Sequence, residues 1–148
     1  MAGLTKAAQD NILGLMRGTA WPAGTGGWGV TPQASCYIGL YTANPSTDAT
    51  VSPTGTEVTG GGYLRVAFAN ANWSAITTVG TASHIDNGTN VITFATPSAS
   101  WGTVTGIGVF DASSAGNLLW WAPLGSSQAI GTGVVASFAA SALVMTVD

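Results

Sequence analysis

The chain is short of charge. Of its 148 residues, three are Lys or Arg (Lys6, Arg17, Arg65) and six are Asp or Glu (Asp10, Asp48, Glu57, Asp86, Asp111, Asp148). An ordinary soluble domain carries about a quarter charged residues, and dispersed charge keeps its copies apart. Three scattered basic residues exclude a nucleic-acid surface, because phosphate binding draws on many Lys and Arg contacts. A lone cysteine, Cys36, excludes an intrachain disulfide. One Cys and one His also supply too few ligands for a zinc site. No apolar run approaches the roughly 20 residues of a membrane-spanning helix. The mean hydropathy of +0.36 therefore reflects missing charge and no membrane partner. Near the start, Lys6, Asp10 and Asn11 interrupt any signal-peptide core, so the expectation is synthesis and folding in a cytoplasm. Cys36 lies in an apolar run, 36–41, with no basic neighbour, and reads as a small buried hydrophobe.

What remains is neutral and glycine-rich: 46% hydrophobic residues, 21 Gly and six Trp, with Ser, Thr and Asn covering the surface. That hydrophobic content excludes a disordered chain. One domain over 1–148 is expected, long enough to bury roughly 70% of its unfolded surface. Within it, residues 1–18 read as a helix or arm, 19–34 as a Gly/Trp-rich loop, and 35–148 as a β domain. Leu4, Ala8, Ile12 and Leu15 form one apolar stripe at helical spacing, with Gly18 as the stop. Gly14 weakens this helix by about 1 kcal/mol relative to Ala, so it must dock on something. Strands are expected at 35–42, 57–59, 63–70, 91–94, 104–111, 118–123 and 134–147, the last as one bent strand or two. Short β-branched and aromatic runs between turn residues predict a mainly β fold, an antiparallel β-sandwich or jelly-roll-like barrel with one N-terminal α-helix. Alternation groups Cys36, Ile38 and Leu40 on one face, and Leu64, Val66 and Phe68 on another. Gly39, Gly106 and Gly108 mark close approaches by rings or backbone.

The most specific stretch is Gly55-Thr56-Glu57-Val58-Thr59-Gly60-Gly61-Gly62-Tyr63-Leu64-Arg65. Three glycines between strand-like runs predict a tight hairpin using positive φ. A three-residue loop at Gly60, Gly61 and Gly62 sets Thr59 opposite Tyr63 and Glu57 opposite Arg65. The only glutamate thus faces one of two arginines. A structural ion pair fixing register is the first reading, and a catalytic carboxylate the alternative.

This hairpin, the 37–45 strand before it and several later segments resemble small tailed-bacteriophage virion proteins, variously called tail-fibre or head-decoration proteins. The later segments are Ile92–Phe94, Trp101–Thr105, Gly108–Ala112, Gly116–Leu119 and Ser137–Ala140. The ordered set runs from about residue 35 to the end. The resemblance implies a non-enzymatic structural subunit of the virion that is a homotrimer, or part of one, and requires no cofactor. It leaves open whether the subunit sits on the capsid or on the tail.

Chemistry is thin elsewhere. His84 and Asp86 share a face if their segment is a strand, but no nucleophile elbow accompanies them. Asp86–Asn90 and Asp111–Asn117 are oxygen-rich, as calcium loops are, yet lack that spacing and read as Asx turns. Trp120 and Trp121 are adjacent, so they point to opposite faces of a strand, and one needs a second surface. Trp21 and Trp28, on the glycine-rich loop, suit a protein interface or a platform for a host surface glycan. The expectation is a capsid decoration (cement) protein bound to itself and to the major capsid protein. Contacts are assigned to Trp21, Trp28, Leu4, Ile12, Leu15 and one of Trp120 and Trp121. The alternative is a tail-fibre or baseplate subunit that binds a carbohydrate receptor.

Overall fold

The computed structural model describes residues 5–19, 34–45 and 55–147. It holds one helix, α1 (Lys6–Met16), and ten strands: β1 (Ser35–Ala43), β2 (Thr56–Glu57), β3 (Val66–Ala69), β4 (Thr77–Val79), β5 (Ala82–Asp86), β6 (Ile92–Thr93), β7 (Gly102–Phe110), β8 (Leu118–Ile130), β9 (Ser137–Phe138) and β10 (Val144–Val147). The fold is mainly β, antiparallel in every described register, with one helix near the N-terminus. Among the described residues no sheet closes into a barrel: the largest runs β2-β1-β7-β8, with β3 also on β1. The contacts group into two compact units. One gathers the described residues of Met1–Ser35, Ala69–Val91 and Phe138–Asp148, the other those of Cys36–Phe68 and Ile92–Ser137.

In the first unit α1 packs on β5 and β10 of the sheet β10-β5-β4. Thr5 caps the helix by accepting the Ala8 N–H, and Gly18 ends it at φ +78°. The docked face is not the expected Leu4–Ala8–Ile12–Leu15 stripe. Gln9, Leu13 and Gly14 are the buried helical residues, whereas Ile12 and Leu15 are half-buried and Leu4 lies outside the described residues. The reason lies on β5, where the Ser83 hydroxyl is fully buried. It donates to Asp10 Oδ1 at 2.7 Å and lies 3.1 Å from the Gln9 side chain. A buried hydroxyl without a partner costs about 1–3 kcal/mol, enough to decide the roll of a short helix. Strands β4 and β5 went unread in the sequence because β4 is exposed throughout and lacks an apolar alternation. Buried Asn87 pins the following turn, donating to Asn90 O and Ala139 O and accepting the Leu143 N–H. That turn, with β9 and β10 on either side of it, splits the single long strand expected over 134–147.

In the second unit β1 and β7 are central, paired Tyr37↔Phe110 through Tyr41↔Gly106. Ile38, Leu40, Val104, Ile107 and Val109 are all buried, and each such side chain contributes roughly 1.5–3 kcal/mol. Burial does not alternate along β1: Gly39 and Tyr41 are buried as well as Ile38 and Leu40. A second layer of side chains covers the Gly39 face, and a Cβ there would meet Phe110, Glu57 and Tyr63 within 2.8–3.1 Å. Likewise Gly106 and Gly108 leave no room for a Cβ against Asn44 and Tyr41. Strand β8 continues past Pro123 to Ile130, with a register shift opposite Val104/Gly106. The sequence placed its end at the proline, which a strand tolerates at an irregularity.

Candidate functional site

Thr56 and Glu57 pair with β1, setting Glu57 opposite Tyr41. The expected Glu57–Arg65 ladder across a glycine hairpin is therefore absent: β2 spends its strand hydrogen bonds on β1, and 63–65 is not a strand. The two residues meet by a different route. Gly60, Gly61 and Gly62 all take positive φ, and the Tyr63 N–H returns to Gly60 O at 2.9 Å. This reverses the chain so that Tyr63 and Arg65 lie back over Glu57. At Gly61 a Cβ would approach Ala99 O to 2.7 Å, so only glycine fits. Gly61 O accepts from Ser98 N–H at 2.9 Å and from Trp101 Nε1 at 3.2 Å, anchoring the turn.

Arg65 Nε and Nη2 donate to Glu57 Oε1 and Oε2 at 2.8 and 2.7 Å, a bidentate pair. Nη1 donates to Ala112 O and Ala115 O at 2.8 and 2.7 Å. The guanidinium also lies 3.4 Å above the Phe110 ring centre. The Arg65 side chain is only 8% exposed. Tyr63 adds a relay: its hydroxyl accepts the Leu40 N–H at 2.8 Å and donates to Glu57 Oε1 at 2.9 Å. Its ring packs between Phe94 and Trp101. One arginine thus ties β2, the glycine turn, β7 and the turn after β7 together, with Tyr63 joining β1.

Electrostatics follow burial. Burial pushes the Tyr63 phenol far above its ordinary range, with the Leu40 N–H opposing and the Glu57 charge adding. Burial, then Glu57, raises the Tyr41 phenol to about 12. Burial works against the Arg65 charge, but the bonds and charge of Glu57 outweigh it and raise its pKa.

The other candidates fall elsewhere. Trp21 and Trp28 lie outside the described residues. Trp120 and Trp121 are both half-buried on β8, opposite Val109 and Gly108. Leu64 does not share a face with Val66 and Phe68; preceding β3, it stands 71% exposed. Cys36 is buried, its thiol 3.6 Å from Phe68 O. His84 pairs across strands with Thr77 and Thr146, while Asp86 accepts the Gly88 N–H. Asp111 likewise closes its turn on Asn117 through N–H and Nδ2 at 2.7 Å each. The cation–π partner Phe110 and the carbonyls of the 112–115 turn were not read from sequence. Glu57 and Arg65 share a local motif; those partners are 45 or more positions away and carry no local signal.

The architecture defines a β-rich structural subunit whose one arginine-centred cluster is committed to holding the fold. Its surroundings, among the described residues, contain no histidine or cysteine. The chain belongs to the bacteriophage fibre family described as Podophage GP4 fiber I protein gp80, which matches residues 4–146. No curated protein matches it.

Proposed function

We propose that this chain is a non-enzymatic tail-fibre or baseplate-associated subunit of the virion. The observation that carries the reading is the family match over 4–146, whose description is that of a fibre protein. It favours the tail over the capsid decoration role expected from sequence. The subunit assembles with copies of itself, as a homotrimer, and with neighbouring virion proteins. Support comes from a surface with few charges that exposes Leu64, Leu119, Val134 and Val135 on one unit and Val79, Val91 and Val144 on the other. Such side chains are depleted from the free surface of a well-charged monomer and suit subunit contacts. The test is copy number per particle, by quantitative mass spectrometry of purified virions. A few to a few dozen copies support a tail position; hundreds would return the protein to the capsid.

A further inference from the structure

A pocket of about 340 Å³ opens between the glycine turn and the 112–115 turn. That volume falls within the roughly 300–1,000 Å³ of small-ligand sites. Its inner wall is the Glu57–Arg65 pair. Of the five guanidinium N–H groups, Glu57, Ala112 and Ala115 engage four, leaving one on Nη2. Among the described residues, Glu57 Oε2 accepts only from Nη2 and keeps a further lone pair. A spare donor and a spare acceptor thus sit on atoms 2.7 Å apart, a separation comparable to that of adjacent hydroxyl oxygens on a pyranose ring.

The rim carries the complementary features. Thr59, Ser113 and Ser114 are exposed hydroxyl residues that accept or donate as a ligand requires. Leu64 forms an apolar wall beside them. Charge narrows the ligand class. The bidentate contact neutralises Arg65, so no unpaired cation is present to reward phosphate, sulfate or a carboxylate. A cationic ligand would meet the remaining guanidinium N–H. An uncharged ligand with both a C–H face and vicinal hydroxyls matches every wall. The carbonyls and Phe110 already hold the arginine in place, so binding loses little side-chain freedom.

We propose that this pocket binds a neutral pyranose saccharide, with Glu57 and Arg65 bonding adjacent hydroxyls and Leu64 covering the ring's C–H face. The inference goes beyond the architectural reading and does not depend on it. Copy number decides where the subunit sits, whereas the following experiment decides only whether the pocket holds a sugar. The full chain is screened on an array of neutral, sialylated and sulfated glycans, and the strongest neutral hit is titrated by calorimetry. A neutral glycan is expected to bind, with affinity unchanged in 1 M NaCl. Ser114→Trp, at an exposed position, fills the mouth and is expected to weaken binding at least tenfold with no change in Tm. Leu64→Asp gives a second exposed variant with the same expected loss, should Ser114→Trp fold poorly. Trp28→Ala is expected to bind as the parent does. Absence of any neutral hit, preference for the charged glycans, or full binding by folded Ser114→Trp or Leu64→Asp would overturn the proposal. So would loss of binding in Trp28→Ala.

Discussion

At the scale of the residue, Arg65 concentrates more of the second unit's order than any other side chain described. Removing it leaves Glu57 part-buried without its cation and strands the Ala112 and Ala115 carbonyls. Breaking such a pair costs about 3–5 kcal/mol, so Arg65→Ala is expected to lower the denaturant midpoint by that amount. Arg65→Lys recovers little of this, since an ammonium cannot reproduce the planar bidentate contact. Tyr63→Phe leaves the Leu40 N–H unsatisfied at a cost of about 1–3 kcal/mol, read by the same titration. Part of this cluster was legible: the three glycines and the isolated Glu57 and Arg65 pointed to each other. What was not legible was the path between them. A short motif cannot say whether Thr56–Glu57 will pair with its own return segment or with β1, because that choice depends on competing strands elsewhere.

At the scale of the element, α1 shows periodicity predicting existence without predicting orientation. The Ile12–Leu15 stripe is real in sequence, yet Leu13 occupies the core at 2% exposure. Leu13→Ala is therefore expected to cost about 2–5 kcal/mol, and Ile12→Ala or Leu15→Ala visibly less, by thermal melts of the three variants. If Ile12→Ala proves the costliest, the roll of the helix is wrong. Acid probes the same contact. Hydrogen bonds from Lys6 and then Ser83 lower the Asp10 pKa below its ordinary 3.8, and those from Asn117 do the same for Asp111. Folded carboxylates with depressed pKa values bind fewer protons than their unfolded counterparts. Their contribution is present above about pH 4 and is lost as pH falls through the folded values. Both groups are largely solvated, so the expected loss is small; Asp10→Asn should flatten its share of an acid stability curve.

At the scale of the whole molecule, the buried phenols make the opposite prediction at high pH. Between pH 10 and about 12, folded Tyr41 keeps a proton that the unfolded chain has released, and Tyr63 keeps its own further still. Stability is complete below pH 10 and falls as pH rises beyond it. Fluorescence-monitored unfolding should shift accordingly, and Tyr41→Phe should reduce that shift. Assembly follows from the sparse charge. Contacts between subunits that are mainly apolar and hydrogen-bonded are screened little by salt. The oligomer is expected to persist at about 1 M NaCl in light scattering. Dissociation there would show that ion pairs hold it.

The sequence by itself determined the classes: a charge-poor, mainly β chain with one short helix, glycines where rings or backbone press close, and a Glu–Arg motif next to a glycine turn. These are local properties, carried by composition, period and turn chemistry. Only the tertiary structure decided which helix face is docked, that two units form, and that Arg65 is closed in by Phe110 and by carbonyls 47 and 50 positions away. Those outcomes depend on satisfying buried polar groups such as the Ser83 hydroxyl and the Arg65 guanidinium. Their partners are fixed by how distant strands pair and so leave no trace in any one segment.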